Sequence, residues 1–210
     1  MGYRLVIFDF DGTLADSAGW MRASINDVAR RYRFRTVPEH EMDSLRDLDT
    51  REVLRRLEVS WWKLPFIARH VRKKMARDAH TIEVFEGVHE LIAELHDRGV
   101  EVAVVTSNAE PNVRAILGPR TCARIRTFQC GAGLFSKRPK LRRALKRSGV
   151  RAHEALAIGD EVRDLEAAHA EGIPTGAVSW GYATPTRLRA QRPTVMFETV
   201  DEMRRLLLDG

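Results

Sequence analysis

Arg4-Leu5-Val6-Ile7-Phe8-Asp9-Phe10-Asp11-Gly12-Thr13 passes without a break from apolar, partly β-branched residues into two carboxylates and a glycine. The apolar run over 5–8 is too short for a helix with a buried face and shows no polar alternation. It reads as a strand covered on both sides and stopped by Gly12, the pattern of a parallel sheet enclosed by helices. Further strands are expected over 100–105, 155–158 and 175–178, with a weaker one over 127–130. Helical periodicity falls between them, over 88–98 (closed by Gly99), 110–117, 140–148, 163–171 and 200–208. This alternation predicts an α/β fold, a Rossmann-like parallel sheet with helices on both faces.

Residues 15–79 break the alternation. Trp20, Ile25, Val28, Ala29, Val53, Leu54, Leu57, Ile67 and Val71 recur at three- and four-residue spacing, with Pro38 and Pro65 as breaks and no strand between. The expected organisation is a core of residues 1–14 and 84–210 interrupted by a helical insertion of residues 15–83. Trp20, Trp61, Trp62 and Phe66 are expected to pack inside that insertion, and Trp180 and Tyr182 to rest on the core.

The 210-residue chain is 44% hydrophobic and 30% charged, a composition that excludes a disordered tail or a fibre. No apolar run approaches the ~20 residues of a membrane span, and Asp9 and Asp11 stand where a signal peptide keeps its apolar stretch, so a cytoplasmic protein with no membrane partner is expected. Cys122 and Cys130 are expected as free thiols. Lys plus Arg is 35 against 29 Asp plus Glu, for a net charge of +6. No basic run carries interleaved aromatics or a nucleic-acid module, which disfavours nucleic acid as a partner.

Open parallel sheets bind ligands at the carboxyl ends of their strands, where strand order reverses. Those ends carry Asp9 and Asp11, then Thr106, Ser107 and Asn108, then Asp160 with Glu161 and Asp164. In an extended segment the side chains of Asp9 and Asp11 leave on the same side, and paired carboxylates repel unless a cation or proton intervenes. With Asp160 they make an all-oxygen set suited to Mg²⁺, which takes few carboxylates and accompanies phosphate. A carboxylate there is a competent nucleophile toward phosphorus, a role assigned to Asp9, and Asp11 is placed for general acid/base work. Thr106, the amides after it and a lysine, Lys137 or Lys140, supply the donors that the transferring phosphoryl group requires.

The order of these pieces resembles the haloacid dehalogenase-like hydrolase superfamily over essentially the whole chain. Asp9-Phe10-Asp11-Gly12-Thr13 is similar to its D-x-D-G-T motif, Val104-Val105-Thr106 to its strand ending in Thr or Ser, and Gly159-Asp160-Glu161-Val162-Arg163-Asp164 to its G-D-x-x-x-D signature. The resemblance implies Asp9 as nucleophile, Asp11 as acid/base, and Mg²⁺ on Asp9, Asp11 and Asp160. It implies phosphate contacts from Thr106, Ser107, Asn108 and Lys137, with Thr13, Glu161 and Asp164 in support, Asp164 as a ligand or just behind one. The family lysine maps to Lys137, which stands 160 − 137 = 23 residues before Asp160, with Lys140 as fallback. The insertion looks like a C1-type cap, although Glu86 stands where the cap exit usually has proline. The nearest branch resembles the phosphoglycolate phosphatases. Dehalogenases of the superfamily lack the second aspartate, so Asp11 implies a small phosphorylated metabolite as substrate. The alternatives are a phosphosugar mutase using the same aspartates, or a catalytically silent protein associating with nucleic acid, motivated by a pI near 9.7.

Overall fold

The computed structural model describes residues 2–131 and 137–209. Its centre is a parallel sheet built from β1 (Leu5–Phe8), β2 (Glu101–Val105), β3 (Thr127–Gln129), β4 (Ala155–Gly159), β5 (Thr175–Val178) and β6 (Val195–Phe197), in the order β3-β2-β1-β4-β5-β6. The α/β class expected from the sequence is the one observed. β1 lies between β2 and β4, with Leu5 in register with Glu101 on one side and Ala155 on the other. The chain builds one half of the sheet outward from β1 and then returns to build the other, so strand order reverses beside β1 and the carboxyl ends of β1, β2 and β4 become neighbours.

The unbroken apolar runs follow from burial on both faces. Val6, Phe8, Val102, Val104, Leu156 and Ile158 face one layer, formed with α4 (Val88–Asp97), α5 (Glu110–Cys122) and α9 (Val200–Asp209). Leu5, Ile7, Ala103, Val105, Ala155 and Ala157 face the other, against α6 (Arg138–Ser148) and α7 (Val162–His169). The alanines on this second face let α6 and α7 approach the sheet closely.

The insertion is helical as expected, with α1 (Ala18–Tyr32), α2 (Thr50–Arg56) and α3 (Leu64–Asp78) joined by short 3₁₀ turns. It leaves and re-enters the sheet region at one place, where Asp16 N–H donates to Glu83 O and Phe85 N–H donates to Leu14 O at 2.9 and 3.0 Å. Trp20 packs against the core beneath it. Trp61, Trp62 and Phe66 do not, being 81%, 56% and 60% exposed, which corrects the expectation that they fill the insertion. Trp61 and Trp62 lie in the 3₁₀ turn that precedes α3 and Phe66 in its first turn, and the inner face of α3 is taken by residues such as Met75.

Two elements escaped the sequence reading, β6 and α8 (Pro185–Ala190). Both are short, and β6 is a three-residue edge strand whose fixed point is the fully buried Phe197. The first part of helix α5 ends at 117 as expected, where Gly118 leaves the helical region at φ +74°, and Pro119 then opens a further turn that carries the element to Cys122. Among the described residues no helix is long and apolar enough to cross a membrane.

Gly176 lies on β5 under that edge, and a Cβ there would sit 2.8 Å from Phe197 Cε2 and 3.0 Å from Ile158 Cγ1. Both neighbours are buried, so the gain in chain stiffness is outweighed by overpacking, and Gly176→Ala is expected to cost about 1–3 kcal/mol. A lowered urea midpoint with an unchanged slope checks this.

Candidate active site

Asp9 follows the last residue of β1, and its N–H continues the ladder to Ile158 O at 2.8 Å. The strand thereby delivers a carboxylate into the interior, where Asp9 is buried. Asp160 follows β4 and is fully buried. Thr13 O–H donates to its Oδ1 at 3.0 Å and Tyr182 N–H to its Oδ2 at 2.8 Å. Asp164, in the first turn of α7, accepts from Glu161 N–H at 3.1 Å in a reciprocal cap. Oxygens of Asp9, Asp160 and Asp164 all fall within 4.8 Å of one another.

Two glycines make this approach possible. Gly12 has φ +77°, and a Cβ on it would lie 2.3 Å from Asp160 Oδ2. On the opposite side a Cβ at Gly181 would lie 2.2 Å from Asp160 Cβ. Asp160 is clasped between two backbone segments that tolerate no side chain. Gly12 was visible in the sequence as a turn residue, whereas Gly181 stood out only within the Ser179-Trp180-Gly181-Tyr182 segment of the family resemblance, and its packing role arises from the approach of a distant segment.

Lys137 caps the start of α6 and reaches inward to Asp9 Oδ1 at 2.7 Å and Asp164 Oδ1 at 2.6 Å. Lys140, one turn later, donates to Thr106 O at 2.6 Å and Gly131 O at 2.8 Å and so ties the end of β2 to the exit of β3. The structure thus sets Lys137 against the carboxylates and Lys140 against backbone carbonyls.

Asp11 has a different environment from Asp9. Its carboxylate accepts from Asn108 Nδ2 at 3.1 and 3.3 Å and lies outside the oxygen group of Asp9, Asp160 and Asp164. Two-residue alternation holds only while the chain is extended, and here β1 has ended and the chain is turning at Gly12. Asn108 is held in turn, its Oδ1 accepting from Ala109 N–H and Asn112 Nδ2 at 2.8 and 3.1 Å and its N–H donating to Thr106 Oγ1 at 3.0 Å. Ser107 lines an open cavity of about 930 Å³ between the strand ends and helices α1–α3, as do Asp11, Asn108, Glu161 and Tyr182. Glu161 faces the insertion, accepting from Thr50 O–H at 3.2 Å and pairing with Arg163 at 2.5 Å. Of the two aromatics expected on the core, Trp180 stacks edge-on against Phe85, while Tyr182 lines the cavity and bonds Ser17 at 2.8 Å.

Electrostatics separate the two aspartates further. Burial pushes Asp9 up to about 7, with Lys137 pulling it down and Asp164 raising it. Burial, reinforced by Asp9 and Glu161, holds Asp160 well above the usual carboxylate range. Asp11 is pushed up to about 6 by burial, against hydrogen bonds from Ser17 and Asn108. On Lys137 burial opposes the charge, but Asp164 and Asp9 outweigh it and raise its pKa. The site without a cation is therefore a protonated lysine among more acidic groups than it can neutralise.

A family model described as haloacid dehalogenase-like hydrolase matches residues 6–178. The chain belongs to that family. A phosphoglycolate phosphatase of Synechococcus elongatus is 31% identical over 94% of each chain, and the tyrosine-protein kinase PtkA of Mycobacterium tuberculosis is 32% identical over 97% of this chain and 72% of its own. Among solved structures, a predicted phosphatase from Clostridium acetobutylicum superposes with a TM-score of 0.84 at 20% identity over the whole of both chains, a likeness of fold. The family and its phosphoglycolate phosphatase relatives make this hydrolase a phosphoric monoester phosphatase.

Removing the ammonium by Lys137→Met leaves Asp9 and Asp164 buried without a counter-charge, with an expected loss of about 3–5 kcal/mol where both are ionised. A carboxyl whose folded pKa lies above its unfolded value contributes stability that is complete below the unfolded pKa and disappears as pH rises through the folded one. For Asp9 that window runs from 3.8 to about 7, and it extends upward when the lysine is lost. The variant's deficit in urea midpoint is expected to be larger at pH 8 than at pH 5.

Proposed function

We propose that this protein is a Mg²⁺-dependent phosphatase of small phosphomonoesters that works through an aspartyl-phosphate on Asp9. The observation that carries the reading is the meeting of Asp9, Asp160 and Asp164 with a single ammonium, beside a second aspartate that faces a cavity. The donors fit the ion: they are carboxylate oxygens, buried, close together and under-neutralised, a set suited to a hard divalent cation. Asp9 and Asp160 would hold Mg²⁺, with Asp164 as a third ligand or as the anchor of Lys137. When bound, the ion neutralises charge on the transferring phosphoryl oxygens.

Lys137 occupies Asp9 Oδ1, which leaves Oδ2 to attack phosphorus as the ester P–O bond breaks. Asp11, with its pKa near neutrality, gives its proton to the leaving oxygen. It then takes a proton from water as that water attacks the phosphorus of the aspartyl-phosphate, and the bond to Asp9 breaks to release phosphate. Asn108 orients Asp11 throughout. The Thr106 hydroxyl accepts from Asn108 N–H, so its own O–H remains for a phosphoryl oxygen, and Ser107 and Lys137 supply further donors.

Residues 15–83 act in this reading as a cap on a core of residues 1–14 and 84–210. Arg46 donates to Gly181 O at 3.1 Å and Tyr182 O at 3.3 Å, contacts through which the cap closes over the site and excludes bulk water. We place the enzyme in the cytoplasm, in keeping with its free Cys122 and Cys130.

With Mg²⁺ and a phosphomonoester, Asp9→Asn is expected to lower the release of inorganic phosphate by more than about 1,000-fold, and Asp11→Asn by about 100- to 10,000-fold. Retained turnover in Asp9→Asn overturns the assignment of the nucleophile. A second expectation needs no substrate. Mg²⁺ at about 100 times its Kd should raise the Tm by ~5–10 °C at pH 8. The rise should shrink at pH 5.5, below the value of about 7 to which burial pushes Asp9, because protons then compete with the ion for that carboxylate, and it should vanish in Asp160→Asn. Calorimetry with and without a chelator checks both.

A further inference from the structure

The cavity over the strand ends carries information about the substrate, and the inference drawn from it rests on the phosphatase reading above. At about 930 Å³ it lies near the upper end of the ~300–1,000 Å³ range of sites that enclose drug-sized molecules. Its wall inside the helical insertion is mostly apolar, with Ile25, Phe34, Leu54, Leu64, Ile67 and Val71 among the lining side chains. A two-carbon phosphoester would leave most of that surface against water, an arrangement that burial of apolar ligand surface would relieve.

Position fixes which part of a substrate meets this wall. Asp11 and Asn108 line the cavity, whereas Asp9 lies beyond its lining with one oxygen held by Lys137. Asp11 protonates the leaving oxygen, so the alcohol portion, not the phosphoryl group, extends into the cavity.

The charges on the wall are uneven. Arg22 is paired with Glu39 and Asp43, Arg163 with Glu161 and Arg187 with Glu52, Arg46 is spent on two carbonyls, and Arg51 is engaged as well. Arg72, half-buried on α3, lines the same cavity, and its guanidinium has no hydrogen-bond or ion-pair partner among the described residues. Its backbone is tied to the reaction centre, and its side chain lines the cavity that Asp11 and Asn108 also line. Its carbonyl accepts from Asn112 Nδ2 at 3.0 Å, and that same nitrogen donates to Asn108 Oδ1, the residue holding Asp11. A guanidinium left over on an apolar wall is matched by a carboxylate or other anion on the ligand.

We infer that the preferred substrate is a phosphomonoester whose alcohol portion combines a sizeable apolar body, seated among the cap helices, with an anionic group near the ester carbon, held by Arg72. Phosphoglycolate has the second feature and lacks the first.

Steady-state kinetics with Mg²⁺ on esters of similar alcohols test both features. The probes are phosphoglycolate, phospholactate, the phosphate ester of phenyllactate, and 2-phenylethyl phosphate, which keeps the ring and lacks the carboxylate. The value of kcat/KM is expected to rise by about 10-fold or more from phosphoglycolate to the phenyllactate ester. It should fall by about 10-fold on deleting the carboxylate. Arg72→Gln should erase the preference for the phenyllactate ester over 2-phenylethyl phosphate, and Arg72→Lys should restore part of it. A flat series, phosphoglycolate as the best substrate, or a carboxylate preference intact in Arg72→Gln overturns the inference while leaving the phosphatase reading in place. No turnover of any probe overturns both.

Discussion

Everything in the site depends on keeping acidic groups from two distant segments, Asp9 after β1 and Asp160 with Asp164 after β4, together in a buried place. Asp9, Asp160 and Asp164 are each nine-tenths or more buried, and Lys137 touches two of them. Like charges in a low-dielectric interior repel strongly, and desolvation adds to the cost. The fold answers in two ways: burial raises the pKa values of Asp9 and Asp160, which favours their neutral forms, and local hydrogen bonds from Thr13 and Tyr182 support Asp160. A bound divalent ion is a third answer that would allow all the carboxylates to ionise, and it couples the site's chemistry to the stability of the whole molecule.

The sheet supplies the rigidity that such a cluster needs. Because β1 is flanked by β2 and β4, three strand ends share one edge without the chain crossing itself. Helices α6 and α7, seated closely against the alanine-rich face, bring Lys137 and Asp164 in from below. Gly12 and Gly181 then hold Asp160 from either side. Asp160 is thus fixed by packing as well as by hydrogen bonds, and a side chain fixed in this way keeps its geometry whether or not its charge changes.

How much of this could be read from the residues depended on the range over which each feature is determined. The strand over 5–8 and the turn at Gly12 are local, and the local pattern was sufficient. The ends of β2 and β4 were legible for the same reason. β6 was not, since three residues at a sheet edge carry no periodicity and owe their conformation to Phe197 filling a space made by β5 and α9. Trp61, Trp62 and Phe66 show the opposite failure, a spacing that reads as helical and says nothing about what the side chains meet. Lys137 stood apart from Lys140 only through its distance along the chain from Asp160. Arg72 carried no local signal at all, and the contact of Gly181 with Asp160 carried none either, since both matter through what distant segments place beside them.

The separate fates of Asp9 and Asp11 show how one short segment can serve two chemistries. Had the chain remained extended past Phe8, the two carboxylates would share a side and compete for the same cation. Ending the strand there and turning at Gly12 sends the first into the closed, lysine-guarded cluster and the second to Asn108 at the cavity wall. Burial raises both, but the foremost opposing forces differ: a full positive charge in direct contact acts on Asp9, whereas on Asp11 the neutral donors Ser17 and Asn108 come ahead of the charges of Lys137 and Arg163. A carboxylate beside an ammonium stays available as an anion when a cation binds, while one balanced by neutral hydrogen bonds can gain and lose a proton near neutral pH at modest cost. The turn between them therefore separates nucleophile from acid/base, and at the same time determines which part of a substrate the helical insertion encloses.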